Sequence, residues 1–228
     1  MYNYVQYIWP TQDLQRVALT QNIASAGNLL LNGTYSVLTN TTINFLSHGF
    51  IPNLSLTSVN NLSGATFTIN GVQNSTVISE TIAGPNNNTV YTTNSFDIVS
   101  SISVASGSFP VNGISVGTGL NGYFPLFTIP AAGITSFAIT SSLSPYALSF
   151  NTQSVNGVTY TLYESLSNLV NNAQTYSTLI TNSSLISKGS PYVNVTQTLQ
   201  FTDVVYNILI KVIAANGTST LQTQFLQL

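Results

Sequence analysis

The chain has 228 residues, of which only 4% are Asp, Glu, Lys or Arg, against roughly 25% in an ordinary soluble domain. Three basic residues (Arg16, Lys188, Lys211) and five acidic ones leave a net charge of −2. That excludes the clustered Lys and Arg that displace counterions from nucleic-acid phosphates or meet an acidic membrane. Cysteine is absent, which excludes disulfides and thiolate metal sites.

Hydrophobic residues make up 43% of the chain, enough for one large β domain or two of about 100 residues each. Most of the rest is Ser, Thr, Asn and Gln. Such a surface is polar yet nearly uncharged, and lacks the repulsion that keeps free monomers apart. Neighbouring subunits are therefore expected to cover much of it.

The first thirteen residues, MYNYVQYIWPTQD, have no basic n-region and no apolar h-region. Synthesis in a cytoplasm without export is the expectation. Tyr2, Tyr4, Tyr7 and Trp9 bring four aromatics into nine residues, closed by Pro10. Tyr and Trp give large contact area at low entropic cost, so these four are the candidate partner-binding residues of an extended N-terminal arm over 1–22. A first strand folded onto its own domain is the competing reading.

Strand signals dominate from there. Residues 66–69 alternate and run into Asn70-Gly71, read as a turn before the apolar stretch at Val77 and Ile78. Residues 98–104 are β-branched and Ser-rich, with Ile98, Ile102 and Val104 expected on one face. Residues 117–122 (GTGLNG) read as a glycine-rich loop or linker. Beyond it, residues 158–163 alternate again. The segment 164–174 suits either a short helix or a strand end followed by a polar loop, and the loop is preferred. The clearest hairpin is expected between 204–214 and 219–226, around Asn216-Gly217. The stretch 204–215 is too short to span a bilayer and carries Asn207 and Lys211. Asn-Gly occurs six times, at Asn32, Asn70, Asn112, Asn121, Asn156 and Asn216. It is the strongest short hairpin signal, because a type I′ turn needs positive φ at both central residues. The expected fold is all-β: antiparallel sandwich or barrel domains, two in tandem, at 23–122 and 123–228 behind the arm.

Several motifs imitate chemistry. Gly113, Ser115 and Gly117 satisfy G-x-S-x-G, but a nucleophile elbow needs a strand-to-helix turn and a later acid and His, and His48 precedes it. Gly117, Gly119 and Gly122 satisfy G-x-G-x-x-G, yet Phe124-Pro125 follows where a dinucleotide site needs a helix. A lone His48 is a poor zinc site and reads as a loop or core histidine. Glu80 and Asp97 are potential neighbours across a hairpin, but no aromatic and acidic cluster surrounds them. Asn-x-Ser/Thr triplets recur, as at Asn53, Asn61 and Asn87, at the frequency such a composition produces by chance. No catalytic, cofactor-binding or metal-ligating residue is assigned, and no enzyme activity is expected.

One stretch carries a resemblance. Residues 61–71 (NLSGATFTING), 78–86 (ISETIAGPN), 92–96 (TTNSF), 99–104 (VSSISV) and 116–119 (VGTG) follow one another in order. This resembles a family of uncharacterised tailed-phage virion proteins with the pattern LSG-x-TFT-x-x-G, SET-x-x-GPN, then VGTG. Weaker similarity extends over residues 18–33, 158–162 and 221–227, about 200 residues in all. The family carries charged residues and a longer turn where this chain has 71–75. The resemblance implies a non-enzymatic virion structural role in tandem β domains. The leading expectation is a capsid decoration or cement protein, a homo-oligomer contacting the major capsid protein or other virion proteins. It would bind neither nucleic acid nor membrane, need no cofactor, and reside in the virion after synthesis in a host cytoplasm. A neck, tail or fibre-attachment protein is the runner-up. A carbohydrate-binding sandwich, with Tyr160, Tyr163 and Tyr176 as candidates, is the third reading.

Overall fold

The computed structural model describes residues 3–36, 42–105, 110–125, 127–129, 135–141, 146–152, 158–165, 185–187, 192–193, 197–201, 207–215 and 219–227, with side chains over 10–36, 42–105 and 110–125. Among the described residues the fold is all-β, and its one helical element is a single 3₁₀ turn, Leu46–His48. The chain forms two compact units. One is Gln12–Gly122, the first unit; Met1–Thr11 and Tyr123–Leu228 together make the second. The span expected as an arm is thus divided, since β1 (Asn3–Trp9) belongs to the second unit and β2 (Ala18–Ile23) lies within the first.

The first unit holds β2, β3 (Gly27–Asn28), β4 (Ile43–Asn44), β5 (Ile51–Thr57), β6 (Thr66–Gln73), β7 (Thr76–Ala83), β8 (Thr89–Ser95), β9 (Ile98–Val104) and β10 (Val111–Tyr123). One sheet runs β10-β5-β8, with β2 also on β10. The other runs β3-β9-β6-β7, with β4 also on β9. The β2–β10, β3–β9, β4–β9, β5–β8, β6–β7 and β6–β9 pairings are all antiparallel. The two sheets pack as a sandwich, burying Leu54 and Leu56 of β5, Phe67 and Ile69 of β6, Val99 and Ile102 of β9, and Ile114 and Val116 of β10. Strand β6 shows the cause plainly. Its alternating apolar positions are buried and the intervening ones are not, as a half-buried strand requires.

Consecutive strands mostly change sheets here. Phe96 N–H donates to the Pro52 carbonyl of β5, and Asp97 N–H donates to the Val72 carbonyl of β6, at 3.0 and 2.7 Å. The chain therefore crosses between sheets within two residues. The hairpin that does stay in one sheet, β6–β7, turns at Asn74 and Ser75, with φ of 49° and 62°. The expected turn at Asn70-Gly71 is therefore incorrect: both residues lie inside β6. Gly71 has another cause. In the β6–β9 ladder Asn70 faces Ser101 and Gly71 faces Val99, so Ser100 is an extra residue, a β-bulge. A β-carbon at Gly71 would collide with the Ile98 carbonyl oxygen.

The same bulge corrects the expected face of β9. Val99, Ile102 and Val104 are buried, and Ile98 is only half-buried, because the extra residue shifts inward parity between 99 and 102. The loop expected at 117–122 is also overturned, since these residues lie within β10. Their glycines serve close approach. A β-carbon at Gly117 would fall on the Asp13 carbonyl oxygen, and one at Gly119 on the Asn53 side chain. The division between units thus falls inside a strand.

The second unit adds β11 (Phe127–Ile129), β12 (Thr135–Ser141), β13 (Tyr146–Thr152), β14 (Val158–Ser165), β15 (Leu185–Ser187), β16 (Tyr192–Val193), β17 (Gln197–Phe201), β18 (Asn207–Ala215) and β19 (Ser219–Gln227). One sheet runs β1-β12-β18-β14-β15, with β16 also on β14. Elsewhere in the unit β13 lies between β17 and β19, and β11 pairs with β19. The strands expected around Asn216-Gly217 are present, but they do not pair as a hairpin. β18 pairs with β12 and β14, whereas β19 pairs with β11 and β13. The connection carries the chain between sheets. Glu164 and Ser165 end β14, and the rest of the 164–174 segment lies outside the described residues.

Candidate interaction surfaces

Charge is so scarce in the first unit that each charged group can be followed to its contacts. Residues 12–122 contain Asp13, Arg16, Glu80 and Asp97 and no other Asp, Glu, Lys or Arg. Glu80 stands on β7, an edge strand, and β8 is an edge strand of the other sheet. Opposite Ile69 in the ladder, Glu80 shares the inward face of the sheet. Its two carboxylate oxygens accept the N–H groups of Thr93 and Asn94 on β8, at 2.6 and 2.8 Å. The carboxylate therefore clasps the seam between the two sheets and occupies donors that an open edge would offer to another chain.

Asp97 sits in the crossover from β8 to β9 and is 4% exposed. Burial raises its pKa above the ordinary carboxylate value, opposed by hydrogen bonds from the backbone N–H groups of Asn74 and Ser75. It supports the β6–β7 turn, while its Oδ1 has no hydrogen-bond partner. Glu80 and Asp97 do not form a shared acidic site, because each holds different backbone amides.

Arg16 and Asp13 form a pair at 3.5 Å. Asp13 Oδ1 also accepts Gln15 N–H at 2.9 Å. The Arg16 guanidinium carbon lies 5.0 Å from the Tyr35 ring centroid, a cation–π contact, and its Nη1 is buried without a hydrogen-bond partner. His48 stacks on the same tyrosine, with ring centroids 3.9 Å apart and planes at 10°. Desolvation and then the Arg16 charge lower the His48 pKa. Phe45 and Phe50 meet Tyr35 edge-on at 6.2 and 5.9 Å. The histidine is thus an exposed member of an aromatic cluster, on the 3₁₀ turn that positions it. Among the described residues no group of three His, Cys, Asp or Glu is placed to hold a metal.

Ser115 of the G-x-S-x-G match is 5% exposed in the middle of β10, and its hydroxyl faces the Thr57 carbonyl oxygen at 3.5 Å. A nucleophile elbow projects its serine from a strand-to-helix turn. Nothing of that geometry surrounds Ser115. Asn53, of one Asn-x-Ser triplet, is 6% exposed; its amide donates to the Thr92 carbonyl and accepts Asn121 N–H. That leaves it no face for a glycan.

Against these internally engaged groups stand exposed apolar residues: Val59 at 84%, Val77 at 83% and Leu30 at 62%. Val77 lies on β7, which has β6 on one side and no strand pairing on the other among the described residues. Strand β1 also ends its sheet, with no strand partner on its far side among the described residues. Tyr4, Tyr7 and Trp9 lie on this strand, and Tyr2 lies outside the described residues. Tyr160 and Tyr163 lie on β14, and Tyr176 lies outside the described residues. The sequence singled out the aromatics of β1 but missed the β7 edge, whose signal was an eight-residue strand with one charge. No helix among the described residues is long and apolar enough to cross a membrane. No protein-family model matches the chain. No curated protein gives a significant match either.

Proposed function

We propose that the protein is a non-enzymatic structural component of a tailed-phage virion, a capsid decoration protein that steadies the head shell. Its partners are the major capsid protein and further copies of itself, and it reaches the virion after synthesis in the host cytoplasm. The supporting observation is that Asp13, Arg16, Glu80 and Asp97 each engage a group inside the first unit. What this unit offers outward is Ser, Thr and Asn, scattered exposed apolar residues and the outer face of β7 around Val77. A surface of that kind associates by backbone pairing, apolar burial and neutral hydrogen bonds. The sequence resemblance supplies the virion setting.

The test is a salt series on purified particles. Contacts without ion pairs lose little when the Debye length falls from about 10 Å at 0.1 M salt to about 3 Å at 1 M. Retention of the protein on particles across that range is expected. Release at moderate ionic strength, with the shell intact, would contradict the proposal.

A further inference from the structure

Strand β1 stands at the edge of its sheet, where it lies parallel to β12. Seven rungs join them, from Asn3 opposite Thr135 to Trp9 opposite Ser141. On its other side β1 has no strand partner among the described residues. It belongs to the second unit, yet the chain passes directly from it into the first, with only residues 10–11 between Trp9 and the start of that unit at Gln12. Pro10 follows Trp9 at once. Proline holds the residue before it in an extended conformation and has no N–H of its own, so the chain leaves β1 straight.

An edge strand held on one side only, and joined to the rest of the chain by a short connection, can make the same hydrogen bonds to an identical acceptor on another molecule. Natural edges prevent this with Lys, inward charges, bulges or proline within the strand. Here neither member of the pair has such protection. Residues 1–12 contain no charged side chain, and neither does β12, TSFAITS. The seven rungs run without a register shift.

We infer that β1 is an exchangeable strand, which leaves its own β12 and pairs in the same parallel register with β12 of a second copy of this chain. Exchange links subunits without creating a new interface, because the contacts are those already formed within one molecule. It converts a rise in local concentration, as on a particle surface, into closed rings or linear chains of subunits. The purpose assigned to the exchange rests on the proposed shell role, but the exchange itself does not. A failure of particle binding would leave the strand result untouched.

Engineered cysteines test it directly, since the native chain has none. Gln6 and Ala138 face each other in the ladder. Full-length Gln6→Cys and Ala138→Cys proteins are mixed at high concentration and mildly oxidised, then analysed by non-reducing electrophoresis and peptide mass spectrometry. A mixture of Gln6→Cys with Asn60→Cys provides the background. The expected result is a disulfide between positions 6 and 138 of different chains, several-fold above background and increasing with concentration. The double variant Gln6→Cys/Ala138→Cys checks the register within one chain. Closure of the double variant, with the mixture no higher than background, would show that β1 stays on its own β12 and overturn the proposal. Absence of a 6–138 disulfide in every sample would overturn the pairing itself, and the proposal with it.

Discussion

Truncating Glu80 removes both acceptors from the seam between β7 and β8. Its carboxylate takes Thr93 N–H at 2.6 Å and Asn94 N–H at 2.8 Å, and the residue is half-buried. Hydrogen bonds to a charged group contribute about 1.5–3 kcal/mol each when well sheltered, so two would give about 3–6 kcal/mol. Water can reach a half-buried seam once the side chain is gone and recover part of that, leaving a loss of about 2–3 kcal/mol for Glu80→Ala. Glu80→Gln keeps the shape and one acceptor but turns an NH₂ group toward the remaining N–H. A donor then meets a donor, and a loss of about 1.5–2 kcal/mol is expected despite the conservative change. Calorimetry should show the first unit melting earlier. Amide hydrogen exchange followed by NMR gives the residue-level readout: Thr93 and Asn94 should exchange faster in both variants, ahead of the central β5 amides. Unchanged protection at those two amides, with a stability change under about 0.5 kcal/mol, is the level of an ordinary surface substitution and would refute the clasp.

Two further perturbations test other parts of the first unit. Gly117→Ala places a β-carbon on the Asp13 carbonyl oxygen and Leu14 backbone. Thermal unfolding should therefore show destabilisation of about 1–3 kcal/mol, the usual cost of overpacking, and no loss would mean that residues 13–14 do not lie against β10. Asp97 tests the pH dependence. Its folded-state pKa is raised, chiefly by burial, so its contribution to stability is present below the unfolded value near 3.8 and lost as pH rises through the raised value. Denaturation across that window should show the native protein losing stability relative to Asp97→Asn as pH rises; the opposite slope would mean that burial does not dominate.

The all-β class was legible because alternation and β-branched runs such as 98–104 are local properties of the sequence. Connectivity was not. Asn70-Gly71 carries the strongest hairpin signal in its region, but the turn lies at Asn74 and Ser75. The glycine is required by the nearby backbone of β9, which comes some thirty positions later. The inward face of β9 failed for the same reason, because a bulge is a property of two strands and leaves little trace in one. Likewise, 204–214 and 219–226 both read as strands, but no local feature tells whether adjacent strands pair or separate into two sheets. Among candidate site residues, the composition revealed how few charges there are. It did not reveal that Glu80 reaches across to β8 or that Arg16, Tyr35 and His48 gather in one cluster, since such contacts depend on the assembled sandwich. The β1 aromatics stood out because Tyr, Tyr and Trp are dense there, although composition alone left open whether that segment pairs.

The most direct measurement of the proposed role is copy number per purified particle, by quantitative mass spectrometry against the major capsid protein. A decoration protein follows the symmetry of the shell, so copies on the order of hundreds, in fixed ratio to the capsid subunit, are expected. A number no larger than a single ring at one vertex would contradict the decoration role and place the protein at the neck or tail.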